Sequence, residues 1–547
     1  MASAAGEQEV DAPAPPPRSG TGAFLVGLGI FLSRIVGLVR ERVLATYFGT
    51  GLHADVLGAG LRLPNVLQNL LGEGTLSASF IPAYSALLGQ GRTAEAGRVA
   101  GAAFALLLAV AGAISLLGVL LAPLIVSVFT PGFTGQRREL LIAVVRIVFP
   151  MTGILVLSAW ALGILNSHRR FFLPYFAPVL WNAAIIGTFF AFGSRLTLDA
   201  LVVAVAWGAL AGGALQFAVQ LPAVWRLDRQ IRFGTGRREP AFRDAVRKAG
   251  PAILGRGVVQ LSGYLDLVLA SLLAVGAVAR LRYAQTLYLL PISLFAMSIA
   301  AAALPELARE QSAGIGALRE RTAAAVRRVA FFIVPSFAAF VALGDVLVAG
   351  LYRAGEFGDA DVRIVWLILI GYSLGLLAST AARVYQSAFF ALRDTATPAR
   401  IALARMLVAV VAGGVLMVQF EPVTVLGVTI PAGALASLDA RGLPLGPLGL
   451  AVGAALGAWV EWALLKRTLA ARLGSVGAGA MPLARMSAAA VAAAVGGIAV
   501  SRALTNVHAL TEAALVAASF GCVYFGVAAA LGLEQARALL RRLRRAT

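Results

Sequence analysis

The sequence concentrates its chemistry in arginines and carboxylates set inside long apolar stretches. The densest run is Ser33-Arg34-Ile35-Val36-Gly37-Leu38-Val39-Arg40-Glu41-Arg42. At about 3.6 residues per helical turn, Arg34 and Arg40 project within about 120° of each other, so both guanidinium groups can face one side. Glu41 can neutralise part of that charge. Further along come Asp55, Arg62 and Glu73, then Arg256 and Asp266, then Arg280 and Arg282, then Arg383. A guanidinium stays ionised and presents a planar fork of donors, which suits phosphate. Ionised groups at membrane depth are expensive, so they mark either a substrate pathway or a helix-locking pair. The expectation is that Arg34, Arg40, Glu41, Arg256 and Arg282 line a wet cationic cavity that binds substrate. Asp55, Arg62, Glu73, Asp266 and Arg383 are expected as gate or structural charges. Arg280 is expected to snorkel to the outer surface.

Other chemistries find no support. There is no glycine-rich phosphate loop with its lysine and no nucleophile motif, so an enzyme is not expected. Cys522 is the single cysteine, and His53, His168 and His508 lie far apart, so neither a disulfide framework nor a metal site is expected. No cofactor is expected.

These charges must be positioned by membrane helices. The 547 residues are 59% hydrophobic and only 13% charged, a balance that excludes a water-soluble globular protein. Apolar stretches of about the 20 residues a spanning helix needs recur at 23–48, 55–88, 99–130, 139–166, 174–193, 199–224, 249–275, 280–308, 325–351, 363–392, 398–420, 445–465, 482–502 and 511–533. The expected fold is therefore all-α, with about fourteen transmembrane helices and both termini on one side. The segments on that side hold most of the basic residues, including Arg226 to Lys248, Arg309 to Arg328 and Arg537 to Arg545. The positive-inside rule places them, and both termini, in the cytoplasm. The net charge of +20 is thus a topology signal, and nucleic acid is not an expected partner.

Punctuation repeats along the chain. Pro82 and Pro305, Gly132-Phe133 and Gly355-Glu356-Phe357, Pro174 and Pro398, and Arg34 and Arg256 pair at offsets of 222 to 224 residues. With six spans in each half, the halves share an orientation, and their pseudo-two-fold axis runs along the membrane normal. The organisation follows: a disordered tail (1–21), an N-lobe (22–225), a basic amphipathic linker (226–248), a C-lobe (249–466), helices 13 and 14 (467–535), and a basic tail (536–547). Two bundles rocking about a central cavity is a transporter architecture, with alternating access as the expected mechanism.

Several motifs sharpen this reading. Ser33-Arg34 with Gly37 and Arg40-Glu41, Tyr47-Phe48-Gly49, Ala54-Asp55, Leu63-Pro64-Asn65, Gly72-Glu73-Gly74 and Phe80-Ile81-Pro82 resemble the opening of the MurJ/MviN lipid II flippase family. Pro131-Gly132-Phe133, Ile164-Leu165-Asn166, Gly250-Pro251-Ala252, Gly371-Tyr372-Ser373 and Thr397-Pro398 extend the resemblance. It implies the fold of the multidrug/oligosaccharidyl-lipid/polysaccharide exporter superfamily, in the bacterial inner membrane. It also implies export of an undecaprenyl-diphosphate-linked peptidoglycan precursor, lipid II, with helices 13 and 14 as a groove for the lipid tail. Membrane lipid and cell-wall synthesis proteins are the further implied partners. Arg34 and Arg40 match the family's cavity arginines, and Glu73 matches an acid associated with gating. Gln68 and Thr286 stand where relatives often have arginine; Arg282, one turn from Thr286, and Arg256, one turn from Gln260, are expected to restore the charge. Asp266 matches a carboxylate that helps hold sodium in some relatives, but span eleven offers no Asn or Asp, so no sodium site is expected. The alternatives are export of another polyprenyl-linked oligosaccharide, or a non-transporting cell-wall scaffold of the same fold.

Overall fold

A computed structural model describes residues 19–72, 75–76, 79–232, 236–296, 299, 315–425, 428–438, 443–504, 507–538 and 541. For 19–25, 66–67, 70, 251–262, 296, 425 and 437–438 it describes the backbone alone. The expectations for the tail up to residue 18, for Glu73, for the Arg256 side chain and for most of the 536–547 tail lie outside the described residues.

The first bundle contains α1 (Ser19–Phe48), α2 (Leu52–Arg62), α3 (Asn65–Leu71), α4 (Phe80–Gly89), α5 (Thr93–Leu120), α6 (Ala122–Phe129), α7 (Gly135–Ser167), α8 (Phe172–Phe192), α9 (Leu198–Ala218) and α10 (Leu221–Leu227). The second contains α11 (Pro240–Ser271), α12 (Ala277–Pro291), α13 (Ile315–Tyr352), α14 (Asp359–Ser373), α15 (Leu376–Ala391), α16 (Ala396–Phe420) and α17 (Gly446–Leu473). Two further helices, α18 (Ala480–Ala503) and α19 (Ala509–Ala530), pack on α13.

Ten passages among the described residues are long and apolar enough to cross a membrane. Four more complete the fourteen: α1, the broken run α2 to α4, α11, and α12. These are the first two passages of each bundle. α1 carries Arg34, Arg40, Glu41 and Arg42 in its second half.

The internal repeat is visible in the helix boundaries. Gly135 and Asp359, and Phe172 and Ala396, begin corresponding helices. The turns before α7 and α14 match in detail: Phe133 N–H donates to the Thr130 carbonyl at 3.0 Å, and Phe357 N–H to the Ala354 carbonyl at 3.1 Å. Both phenylalanines are buried. The register then breaks at an insertion after α16, which holds a departure from the all-α expectation. There β1 (Val423–Val425) pairs antiparallel with β2 (Val428–Ile430), Val423 opposite Ile430.

Small residues allow the tightest helix pair. A Cβ on Gly453 of α17 would lie 2.3 Å from the Gly413 nitrogen of α16. Gly453→Leu should force these backbones apart and destabilise the bundle by about 1–3 kcal/mol or more. A thermal transition in detergent unchanged from wild type would contradict this packing.

The α15–α16 turn is tied by Asp394. It accepts from Thr397 N–H at 2.9 Å, from the Thr397 hydroxyl at 2.7 Å and from Arg472 at 2.8 Å. The Thr397 bonds and then Arg472 hold its carboxyl down at about 2, against an ordinary 3.8. Because the folded value lies below the unfolded one, the stabilisation is complete above the unfolded pKa and disappears as pH falls through about 2. Asp394→Asn should lower the thermal transition equally across neutral pH, and the gap to wild type should close in strong acid. A gap that stays at its neutral-pH size well below pH 2 would refute this account.

Candidate substrate-binding site

At the end away from the termini, hydrogen bonds join the two bundles. Glu356 N–H donates to the Thr46 carbonyl at 2.9 Å, the Tyr283 hydroxyl to the Gly49 carbonyl at 3.0 Å, and Arg42 to the Gly350 carbonyl at 2.6 Å. Asp55 of α2 is fully buried and organises this seam. It pairs with Arg137 at the start of α7 and accepts from the N–H groups of Gly276 at 2.6 Å and Ala279 at 2.8 Å. A carboxylate of the first bundle thus caps the N-terminus of a helix in the second, where the helix dipole favours negative charge. Gly276 is needed for that cap. Its φ of +94° suits glycine, and a Cβ there would lie 2.1 Å from the Thr50 carbonyl.

Arg280 departs from the snorkelling expectation. It turns into this seam, where the negative charges acting on it are Asp361, Asp55 and Glu421, and its Nε and Nη1 are buried. The cap fixes α12 so that its first turn points inward, which draws Arg280 toward acids of both bundles instead of toward lipid.

Less than two turns beyond the cap, α12 places Arg282 against α1. Arg40 donates to Glu41 Oε1 at 2.6 Å, and Arg282 Nη2 lies 3.4 Å from Glu41 Oε2. Glu41 is buried, and the Arg40 guanidinium rests 4.9 Å from the centre of the Trp181 ring of α8. The cluster holds two positive charges and one negative, so one positive charge is uncompensated. Arg40 Nε and Arg282 Nε are buried and hydrogen-bond to no protein acceptor. Buried charged donors without acceptors are costly, so the cluster is poised to receive anionic oxygens. Arg34 lies lower on α1. It is exposed and reaches across to the second bundle, donating to the Ser293 hydroxyl at 2.8 Å. Ser293 sits in a π-helical turn, Ile292–Ala296, directly after Pro291. Arg34, Arg40, Glu41 and Arg282 therefore share one seam between bundles. Thr286, where relatives often have arginine, donates its hydroxyl to the Arg282 carbonyl at 2.9 Å.

Asp266, Arg62 and Arg383 belong to a separate network within and beside the second bundle. The Tyr264 hydroxyl donates to the Arg62 carbonyl at 3.1 Å, and the positive charges acting on Asp266 are Arg62 and Arg405. Arg405 of α16 also pairs with Glu461 of α17 at 2.7 Å, and Gln386 donates to the same carboxylate at 2.9 Å. Arg383 lies exposed in the field of Arg405 and Glu461. The groups facing Asp266 from α2 and α16 are thus guanidinium groups. Sequence reasoning passed over Arg405, Glu461, Arg137 and Trp181. A signal was present for Glu461, an acid flanked by Trp459 and Trp462 in an apolar run.

Two six-helix bundles, two appended helices and charges on the seam between the bundles define a multi-pass membrane transporter. A family model described as lipid II flippase MurJ matches residues 44–438. The lipid II flippase MurJ of Burkholderia cenocepacia is 32% identical over 388 residues, 69% of this chain and 74% of that protein. A probable lipid II flippase MurJ of Rhizobium tropici is 31% identical over 385 residues, 69% of this chain and 71% of that one. The chain belongs to the lipid II flippase MurJ family. Among solved structures, a lipid II flippase MurJ in an inward closed conformation matches with a TM-score of 0.71, covering 92% of this chain and 98% of that one at 21% identity. An inward-facing multidrug transporter of the MATE family in the MOP superfamily matches with a TM-score of 0.64, covering 83% and 98% at 17% identity. At these identities both report on the fold alone.

Proposed function

We propose that this chain flips lipid II from the inner to the outer leaflet of the bacterial cytoplasmic membrane. The observation that carries the reading is the Arg40–Glu41–Arg282 cluster on the seam between bundles, with its surplus positive charge and acceptor-less donors. The lipid II named for the matched relatives contains a diphosphate, an anion suited to these donors. Arg34 receives the diphosphate first and passes it to Arg40 and Arg282, while sugars and peptide occupy a wet cavity between the bundles. Arg256 adds positive charge to the same cavity wall. Helices α18 and α19 guide the polyprenyl tail in lipid.

The basic segments 226–248, 309–328 and 466–485 support a cytoplasmic location for both termini. The seam held by Asp55 then closes the outer side, and the chain stands ready to load from the inner leaflet. Opening that seam while sealing the inner side delivers the headgroup outward. An inside-negative potential contributes about 2.3 kcal/mol per elementary charge per 100 mV, which favours outward movement of the diphosphate. Asp55, Arg62, Glu73, Asp266 and Arg383 act as gate and structural charges rather than as diphosphate ligands.

The test is flipping of labelled lipid II by the purified protein in sealed vesicles, with and without an imposed potential. Time-dependent transbilayer movement above that of protein-free vesicles is expected. Binding of lipid II without movement would point to a scaffold, and equal movement of an uncharged polyprenol-linked sugar would remove the arginines from the mechanism.

A further inference from the structure

At the end that holds the termini, a cavity of about 500 Å³ opens between the start of α13 and the segment after α19. Arg327 and Arg328 line it from α13, Glu534 and Gln535 face them, and Phe331 and Phe332 form its deeper wall. Both phenylalanines are firmly held: the Tyr524 hydroxyl donates to the Phe331 carbonyl at 2.6 Å, and Phe332 stacks on Phe295 with ring centres 4.5 Å apart. By contrast, Arg328 is exposed and Arg327 half-buried, and among the described residues no carboxylate pairs with either. Two guanidinium groups lie over an aromatic wall, and the cationic pair exceeds the single acid opposite.

Depth in the membrane decides what such a cavity meets. α13 ends at Tyr352, 24 residues beyond Arg328. At 1.5 Å per residue that is about 36 Å, more than the roughly 30 Å hydrocarbon core and less than the roughly 40–45 Å of the whole bilayer. With Tyr352 at one edge of the hydrocarbon, Arg327 and Arg328 fall in the opposite headgroup layer, and Phe331 and Phe332 fall at the boundary with the acyl chains. Basic pockets between helices at this level suit anionic headgroups.

We propose that this cavity is a binding site for an anionic phospholipid of the leaflet next to the termini. Arg327 and Arg328 grip its phosphate, Glu534 and Gln535 accept or donate to headgroup hydroxyls, and one acyl chain lies along Phe331 and Phe332. The cavity lining includes none of Arg34, Arg40 and Arg282, and the site does not depend on the transport reading.

The test is lipid binding to the full chain in a neutral detergent, read by native mass spectrometry and by the thermal shift on adding phosphatidylglycerol. Wild type and Arg34→Gln/Arg40→Gln should bind alike, whereas Arg327→Gln/Arg328→Gln should bind about tenfold or more weakly, having lost its charge-assisted contacts. Arg327→Lys/Arg328→Lys should retain most of the binding, which separates lost charge from a misfolded protein. Undiminished binding by the double glutamine variant would overturn the proposal. So would equal binding of phosphatidylethanolamine, or full competition by inorganic phosphate at the same concentration. A variant that loses affinity for undecaprenyl diphosphate while keeping it for phosphatidylglycerol would assign the cavity to the transported lipid instead, and would equally overturn it.

Discussion

Arg282→Gln is expected to reduce lipid II flipping by roughly ten- to a hundredfold, the value of one charge-assisted contact of about 1.5–3 kcal/mol to the diphosphate. The substitution leaves Arg40 and Glu41 as a neutral pair and removes the cluster's surplus charge. The comparison that matters is with Arg40→Gln/Glu41→Gln. That variant deletes two charged groups yet leaves Arg282 as an unopposed cation beside the seam. If the cluster binds substrate, the double variant retains more transport than Arg282→Gln. If the cluster only locks helices, the order reverses, because the double variant removes a direct 2.6 Å pair and Arg282→Gln only a looser 3.4 Å one. A second comparison moves the charge by one helical turn. Arg282→Gln/Thr286→Arg places a guanidinium back on the same face of α12 and should recover part of the lost rate. Vesicle flipping supplies the rate, and rescue of flippase-depleted cells supplies a growth readout. Full transport by Arg282→Gln would remove this residue from the site.

The sequence disclosed the charged helices more readily than their partners. Arg34, Arg40 and Glu41 stand out because charge inside an apolar run is improbable unless something offsets its desolvation. Arg282 stood out because it lies one turn from Thr286. The repeat was legible for the same kind of reason: prolines and Gly-Phe turns punctuate both halves at one spacing, and the helix starts at Gly135 and Asp359 follow it. What could not be read was the three-dimensional pairing. Arg137 sits beside a loop in sequence, where nothing local points to a partner; the fold buries it against Asp55. Arg280 looked like an interfacial residue, because nothing local shows that Asp55 and Asp361 converge on it from other helices. Arg405 and Glu461 are 56 positions apart and acquire meaning only when α16 and α17 pack at their glycines. Long-range ion pairs leave no periodic trace along the chain, whereas helices and repeats do.

Asp55→Asn should shift the transporter toward an outward-open state. In the closed seam the Asp55 carboxylate serves three groups at once: the Arg137 guanidinium, the Gly276 N–H and the Ala279 N–H. An asparagine can still accept a hydrogen bond, but it leaves Arg137 ionised and buried without a counter-charge. Breaking a buried pair in this way costs about 3–5 kcal/mol. That penalty falls on the closed state, where Arg137 is sealed from water, and is relieved when the bundles part. A bias of that size changes a two-state ratio by roughly a hundredfold or more. Thr46 and Glu356 report on the seam directly, since their backbones are hydrogen-bonded across it at 2.9 Å. In a Cys522→Ala background, Thr46→Cys/Glu356→Cys should crosslink efficiently with a short bis-maleimide, and adding Asp55→Asn should sharply reduce the yield. Flipping should fall as well, because a seam that does not close cannot reload from the inner leaflet. Asp55→Asn/Arg137→Gln removes both buried charges and should recover most of the crosslinking, as replacing a whole buried pair is far milder than orphaning one member. An unchanged yield in Asp55→Asn would show that the helix cap, and not the ion pair, holds the outer side shut.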